Sequence, residues 1–313
     1  MKTMQIKGVD KAMSRLIMGT GDLRVLDEPK RQMLDAYIAA GGNMFDTAHQ
    51  YRGKEQILGQ WLAEKKLRDK VVIMTKGAHH DDGSPGPRVN PEAIRKDLSE
   101  SLERLGTDYV DLYALHRDDP DVEVGPVVEE LNAQLEAKRI RSFGASNWTH
   151  RRIQEANDYA AAHGLTGFQF SSTNLSLAKA QEPRWAGCVS ADEDAIAWHT
   201  RNRLPLLSWS SQAGGFFSGH FSPDDRSDEE MARVYYNDAN WERYRRATLL
   251  AAKKQVPAIQ ISLSYVLHQP FPTSAIIGPR NPEELRDSIE AMNLTLTPEE
   301  VEWLDLKKEE IAL

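Results

Sequence analysis

The chain has 313 residues, 40% of them hydrophobic, and carries a formal net charge of −8 from 39 basic and 47 acidic side chains. This negative balance argues against a nucleic-acid or membrane-surface partner. No apolar run approaches the roughly 20 residues that cross a bilayer, and the N-terminus lacks the apolar core of a signal peptide. The lone Cys188 excludes an internal disulfide. A cytoplasmic protein is expected. The sequence does not decide between a monomer and a homo-oligomer.

Strand and helix patterns alternate along the chain. It opens with a predicted β-hairpin at residues 6–9 and 13–18, whose second arm becomes the first strand of a sheet. Further strands are predicted at 43–46, 71–75, 109–115, 140–145, 166–170, 204–209 and 273–277. Helices are predicted at 29–40, 53–66, 91–105, 122–138, 149–163, 190–202, 239–268 with an interruption at Pro257, and 281–291. A capping pattern at Thr297 starts a last helix.

This alternation requires a parallel sheet. Eight strands with no reversal of order favour a closed (β/α)8 barrel, also called a TIM barrel, over an open sheet. No repeat or linker interrupts the pattern, so residues 1–313 are expected to form one domain. Three long polar loops, at 79–87, 174–190 and 221–228, are expected at the C-terminal face of the barrel. Long loops in compact domains are usually functional, and these are expected to build a substrate pocket.

Chemically active side chains stand at the ends of three successive strands. Asp46 ends one strand and Tyr51 follows five positions later, Lys76 follows the next strand, and His116 follows the third. The C-terminal ends of barrel strands converge on one face, so these four side chains are expected to meet. Taken singly, Asp46 is equally compatible with a helix cap, Tyr51 with a half-buried ring and His116 with a core histidine.

The sequence resembles the aldo-keto reductase superfamily from about residue 14 to 292. Five motifs stand in the family's order, at 45–51, 75–76, 111–116, 144–148 and 276–285. The resemblance implies a (β/α)8 barrel whose lower end is plugged by the N-terminal hairpin. It also implies NADPH-dependent reduction of carbonyl groups.

The four strand-end residues suit that chemistry. Hydride transfer to a carbonyl creates an alkoxide, so the site must supply a proton or a positive field. Tyr51 is assigned as the general acid, and Lys76 is expected to lower its pKa from about 10. Asp46 is expected to pair with Lys76, because a lysine keeps its charge in a dry cavity only beside a carboxylate. His116 is expected to orient the carbonyl oxygen or relay a proton.

The resemblance also implies a set of cofactor contacts. Ser146, Asn147 and Gln169 would hold the nicotinamide carboxamide, and Trp209 would stack on its ring. The turn at Gly278 and the helix after it would face phosphates. Arg280 would pair with a 2′-phosphate, which favours NADP(H) over NAD. The complete expected set is Gly19, Thr20, Asp46, Ser146, Asn147, Gln169, Trp209, Ser210, Gln212, Gly214, Gly278, Arg280, Glu284 and Ser288.

Glu284 and Ser288 would face the adenine, while Gly214 stands where the family often has a basic residue. No metal site is predicted, since His79 and His80 are expected to point apart and no carboxylate or cysteine has ligand spacing. The polar loops, with Trp148 and Trp185 as stacking surfaces, favour a small carbonyl or sugar substrate. Two rivals remain: a cofactor-binding regulatory subunit, and a redox-assisted sugar isomerase or epimerase. The complete set of four site residues argues for catalysis.

Overall fold

The computed structural model describes residues 1–80 and 86–312. Its strands are β1 Thr3–Met4, β2 Met13–Ser14, β3 Leu16–Gly19, β4 Met44–Asp46, β5 Val72–Gly77, β6 Val110–Leu115, β7 Ile140–Ser146, β8 Ser171–Ser172, β9 Leu206–Ser208 and β10 Thr273–Ile277. Its helices are α1 Glu28–Ala39, α2 Lys54–Lys65, α3 Pro91–Leu105, α4 Val124–Glu136, α5 His150–Ala162, α6 Glu193–Asn202, α7 Glu229–Tyr235, α8 Asp238–Lys254, α9 Ala258–Leu267, α10 Pro282–Asn293 and α11 Pro298–Leu304. Short 3-10 turns occupy Arg68–Lys70 and Ala213–Gly215.

Strands β3 to β10 close into a parallel barrel in the order β10-β3-β4-β5-β6-β7-β8-β9. The predicted (β/α)8 barrel is therefore confirmed. β6 and β10 stand four places apart in this ring of eight, on opposite sides of the barrel mouth. In the described residues, no helix is long and apolar enough to cross a membrane.

The N-terminal hairpin exists, but its first arm differs from the prediction. β1 pairs antiparallel with β2, whereas residues 6–9 form a turn. Gly8 takes a left-handed φ of +92°, and a Cβ there would lie 2.5 Å from the Arg141 carbonyl oxygen. Only glycine tolerates both. The turn directs Ile6 and Val9 into the apolar cluster inside the barrel, so this segment closes the lower end, as the resemblance implied.

Two further element predictions need correction. The strand predicted at 166–170 does not form, and a short strand lies directly after it at Ser171–Ser172. At Thr166 and Phe168, side chains of other segments make the hydrogen bonds that a neighbouring strand would otherwise make. Asn132 bonds both backbone groups of Thr166, and Asn157 accepts from the Phe168 N–H. Helix α7 was not predicted at all. The long helix predicted at 239–268 breaks at Pro257, as expected, since proline cannot donate to the preceding turn.

Sequence-encoded caps begin helices α10 and α11. Asn281 accepts from the Glu284 N–H and Pro282 occupies the first helical turn of α10. At α11, Thr297 and Glu300 form the predicted capping box. Such caps satisfy backbone donors that a helix start leaves free and set where each helix begins.

Candidate active site

A buried ion pair lies where β4 and β5 end. Lys76 Nζ stands 2.6 Å from Asp46 Oδ1, and both side chains are at most 5% exposed. Lys76 also donates to the Thr47 carbonyl at 2.8 Å. Burial raises the pKa of Asp46 although Lys76 opposes this; burial lowers the pKa of Lys76, but Asp46 and Tyr51 more than offset it and leave it raised. The geometry places Asp46 and Lys76 together, as the strand-end argument expected.

Tyr51 and His116 complete a cluster above this pair. The Lys76 Nζ atom lies 4.8 Å from the Tyr51 ring centroid. The rings of Tyr51 and His116 meet edge to face with centroids 5.6 Å apart. All four expected side chains thus come from one patch, because β4, β5 and β6 are neighbours.

The pKa of Tyr51 is shifted in the direction opposite to the one expected. Burial raises the pKa of Tyr51 above 10, and the opposing effect of Lys76 does not cancel it. Tyr51 is therefore held protonated at neutral pH. Burial and the Lys76 charge depress the pKa of His116 well below its usual value, so this imidazole is neutral. A protonated phenol and a neutral imidazole can both donate a hydrogen bond to one oxygen.

A second histidine approaches this cluster from the loop after β5. The centroid of the His79 ring lies 4.8 Å from that of His116 and 4.0 Å from that of His80. The expectation that His79 and His80 point apart is therefore wrong, because the His79 Nδ1 atom bonds the His80 carbonyl at 2.8 Å and holds the two rings together. Among the described residues, no group of three or more ligand side chains could hold a metal ion. Asp81 and Asp82 lie outside the described residues.

These residues open into one cavity of about 1210 Å³ at the barrel mouth. That volume exceeds the range typical of a single drug-sized ligand, so a dinucleotide and a small substrate fit together. The expected site residues that line it are Gly19, Asp46, Tyr51, Lys76, His116, Ser146, Asn147, Trp209, Ser210, Gln212, Gly214, Gly278, Arg280, Glu284 and Ser288.

Two expected cofactor residues do not line this cavity. Thr20 is buried, and its backbone N–H donates to the Asp46 carbonyl. Gln169 precedes β8, and its side chain donates to the Gly167 carbonyl. The structure thus contradicts the assignment of Gln169 to the carboxamide.

The residues expected to contact the nicotinamide are largely held by protein contacts. Ser146 Oγ donates to the Ser172 carbonyl, and Asn147 Nδ2 donates to the His116 carbonyl. Trp209 is half-buried, and its Nε1 atom is buried without a hydrogen-bond partner among the described residues. An unpartnered indole N–H beside an open cavity can bind a polar ligand atom.

The opposite end of the cavity lies at α10. Nothing stands within 4 Å of a Cβ built at Gly278, so the turn leaves room for a ligand beside the N-terminus of α10. Arg280 is largely exposed and forms a fork with the Glu284 carboxylate at 2.8 and 3.0 Å. The guanidinium expected to read a 2′-phosphate is therefore already paired. Ser288 Oγ donates to the Glu284 carbonyl.

A cation reaches the Gly214 turn from another loop. Arg184 Nη1 lies 3.3 Å from the place that a Cβ at Gly214 would occupy. Arg184 is anchored by Glu230 at 2.6 Å and lies over the Trp185 ring. The sequence placed no basic residue at this turn, and no local pattern connects Arg184 to it. The fold therefore brings a guanidinium, paired with Glu230, to this turn.

Four polar side chains from neighbouring strand ends thus meet beside a cavity of about 1210 Å³ at the mouth of a parallel barrel, where (β/α)8 enzymes carry their active sites. The model of the Aldo/keto reductase family matches residues 15–309, and the chain belongs to this family. It is accordingly an oxidoreductase, of a family that typically uses a nicotinamide cofactor.

Similar proteins agree with this assignment. A norsolorinic acid reductase of Aspergillus flavus is 27% identical over 285 residues, covering 87% of this chain and 70% of that protein. An aryl-alcohol dehydrogenase of Pestalotiopsis microspora is 27% identical over 289 residues, covering 88% of this chain and 71% of that protein. The glycerol dehydrogenase of Gluconobacter oxydans shares the fold, with a TM-score of 0.77 at 22% identity over 97% of this chain and 94% of that chain.

Proposed function

We propose that this protein reduces an aldehyde or ketone of a small polar molecule with NADPH, or oxidises the corresponding alcohol. The observation that supports this best is the meeting of Asp46, Tyr51, Lys76 and His116 at one end of the cavity. When bound, the cofactor supplies a hydride to the carbonyl carbon. The remaining steps belong to the chain.

The protein's own groups manage the charge that develops on the carbonyl oxygen. The neutral His116 and the protonated Tyr51 both donate to this oxygen, and Tyr51 gives up its proton as the alkoxide forms. Lys76 stabilises the resulting phenolate, and Asp46 keeps Lys76 charged and in place. The raised pKa of Tyr51 makes the acid form abundant at neutral pH, while Lys76 makes its deprotonation feasible in the transition state.

The residues that would hold the cofactor run from Trp209 past the Gly214 turn to α10. Trp209 would take the nicotinamide ring, Arg184 and the backbone around Gly214 the diphosphate, and the N-terminus of α10 with Arg280 the adenosine phosphate. The pairing of Arg280 with Glu284 opposes this last contact. The preference for NADP over NAD is therefore proposed to be modest.

For the substrate, two classes are proposed. Sugars and polyols remain the prediction from the polar loops. An aryl aldehyde is the second candidate, because Trp185 is 50% exposed at the cavity with its ring 6.0 Å from that of Trp209. Relatives named as an aryl-alcohol dehydrogenase and a norsolorinic acid reductase favour this second class.

The test follows NADPH consumption by the purified protein with a panel of sugars and aldehydes. Tyr51→Phe should lower turnover by about 10² to 10⁴, since only the proton donor is lost, while NADPH binding stays near normal. Unchanged turnover in this variant would remove Tyr51 from its role. NADPH binding with no turnover of any compound would instead support a regulatory subunit. Interconversion of sugars without net NADPH consumption would support an isomerase or epimerase.

A further inference from the structure

The residue after His116 is a half-buried arginine in the same cavity. Arg117 lines this cavity, and its Nη1 atom donates to the His116 carbonyl at 3.0 Å. Its Nε atom is buried and has no hydrogen-bond partner among the described residues. No carboxylate of the described chain lies within ion-pair distance of it. A half-buried guanidinium without a counter-charge is unfavourable unless a ligand supplies one.

Three other cations of the cavity are paired, while Lys54 at the start of α2 also lines it and has no ion-pair partner among the described residues. Lys76 meets Asp46, Arg184 meets Glu230, and Arg280 meets Glu284, each at 2.8 Å or less. These pairs satisfy their charges within the protein. Arg117 differs from these three because its only hydrogen-bond acceptor in the described part of the chain is a backbone carbonyl.

The arginine is also held in place from several sides. The Arg117 carbonyl accepts a hydrogen bond from Trp148 Nε1 at 3.0 Å. The loop containing Gly187 passes close by, since a Cβ at Gly187 would lie 3.3 Å from Arg117 Cδ. A guanidinium whose stem is fixed loses little conformational freedom when it binds a planar anion.

The field around Arg117 favours an anion. The acidic side chains of the cavity outside the Asp46 pair are Asp22, Glu283, Glu284 and Asp287. Three of them belong to α10, which follows β10, and Asp22 lies close enough to Arg280 to raise the pKa of that guanidinium. Arg117 follows β6, on the opposite side of the barrel mouth. An anion at Arg117 is thus separated from these carboxylates.

We propose that the substrate is an oxo acid, whose carboxylate is bound by Arg117 while Tyr51 and His116 hold its carbonyl oxygen. This rests on the proposed carbonyl reduction and adds the substrate class. The guanidinium presents paired N–H donors that match the two oxygens of a carboxylate. Arg117 thus determines specificity and takes no part in proton transfer. Because Arg117 directly follows His116, the carboxylate and the carbonyl belong to one short molecule.

The test compares an acid with its neutral ester. The kcat/KM values of the wild-type enzyme are measured for para-carboxybenzaldehyde and its methyl ester, and for succinic semialdehyde and its methyl ester. We expect the acid to be preferred by about tenfold or more in at least one pair, from a charge-assisted contact. Arg117→Gln should lower that preference about tenfold to a hundredfold, mainly through KM, and Arg117→Lys should retain part of it. Arg184→Gln, at another arginine of the cavity, should keep the wild-type ratio.

Equal turnover of acid and ester in both pairs, or an unchanged ratio in Arg117→Gln, would overturn the proposal. Loss of the preference in Arg184→Gln alone would also overturn it. A second readout does not need turnover: benzoate and benzamide are titrated against the NADP-loaded protein by tryptophan fluorescence. Benzoate should bind more tightly than benzamide in the wild type but not in Arg117→Gln. If no aldehyde is reduced but benzoate binding depends on Arg117, the proposed reaction is wrong and the anion site is supported. If no aldehyde is reduced and benzoate binding does not depend on Arg117, both the reaction and the anion site are wrong.

Discussion

Replacing Lys76 with methionine tests the electrostatic centre of the site. The methionine fills much of the same volume but leaves the Asp46 carboxylate, which is only 5% exposed, without its partner at 2.6 Å. Breaking a buried ion pair in this way costs about 3–5 kcal/mol. An independent bound agrees: protonating a carboxyl with a reference pKa of about 3.9 costs about 4 kcal/mol at pH 7. The variant should lose about this much stability.

The pH dependence identifies the cause. In Lys76→Met the folded-state pKa of Asp46 lies above its unfolded value, since burial already raises it in the wild type. The folded state then holds a proton that the unfolded state releases. Stability should therefore fall as pH rises above about 4, by about 1.4 kcal/mol per pH unit relative to wild type. Lowering the pH restores it.

Urea unfolding at a series of pH values measures both effects. The matched control is the double variant Lys76→Met with Asp46→Asn, which removes the stranded charge and should recover most of the loss at neutral pH. A stable Lys76→Met protein with no added pH dependence would refute the burial of Asp46 against Lys76. Its activity would remain a separate question.

Two further predictions concern the cofactor and acid stability. Arg280→Ala should weaken NADPH binding by about tenfold and leave NADH binding nearly unchanged. Glu284→Gln should strengthen NADPH binding, because it releases Arg280 from its ion pair. Equal changes for both cofactors in a fluorescence titration would show that Arg280 does not contact the 2′-phosphate. Burial lowers the pKa of His199 to about 4, so the unfolded state takes up its proton first and stability falls as pH drops from about 6.5 towards 4. In His199→Asn the amide can replace the Nδ1 hydrogen bond to the Leu204 carbonyl, and the loss of stability with falling pH should become smaller by up to about 1.4 kcal/mol per pH unit. An unchanged pH dependence in urea unfolding would show that His199 does not cause this loss.

The four residues of the acid–base cluster could be predicted because strand ends carry positional information. Asp46, Lys76 and His116 each stand at or directly after the C-terminal end of a buried strand. Parallel strands in sequence order lie side by side, so these ends must meet wherever the barrel closes. Tyr51 follows Asp46 too closely to leave that edge. Chain order alone therefore determined the barrel and the centre of the site.

The tertiary structure decided what depends on side-chain direction and on loops. The irregular segment before β8 left Gln169 outside the cavity lining. Burial raised the pKa of Tyr51 where proximity to Lys76 alone predicted a lower value, and a long loop carried Arg184 to the Gly214 turn. It also left Arg117 unpaired beside His116. Local sequence patterns report which residues share an element, but they do not report which groups from distant segments fill one space. Desolvation and charge pairing are set by that space, so they follow only from the folded chain.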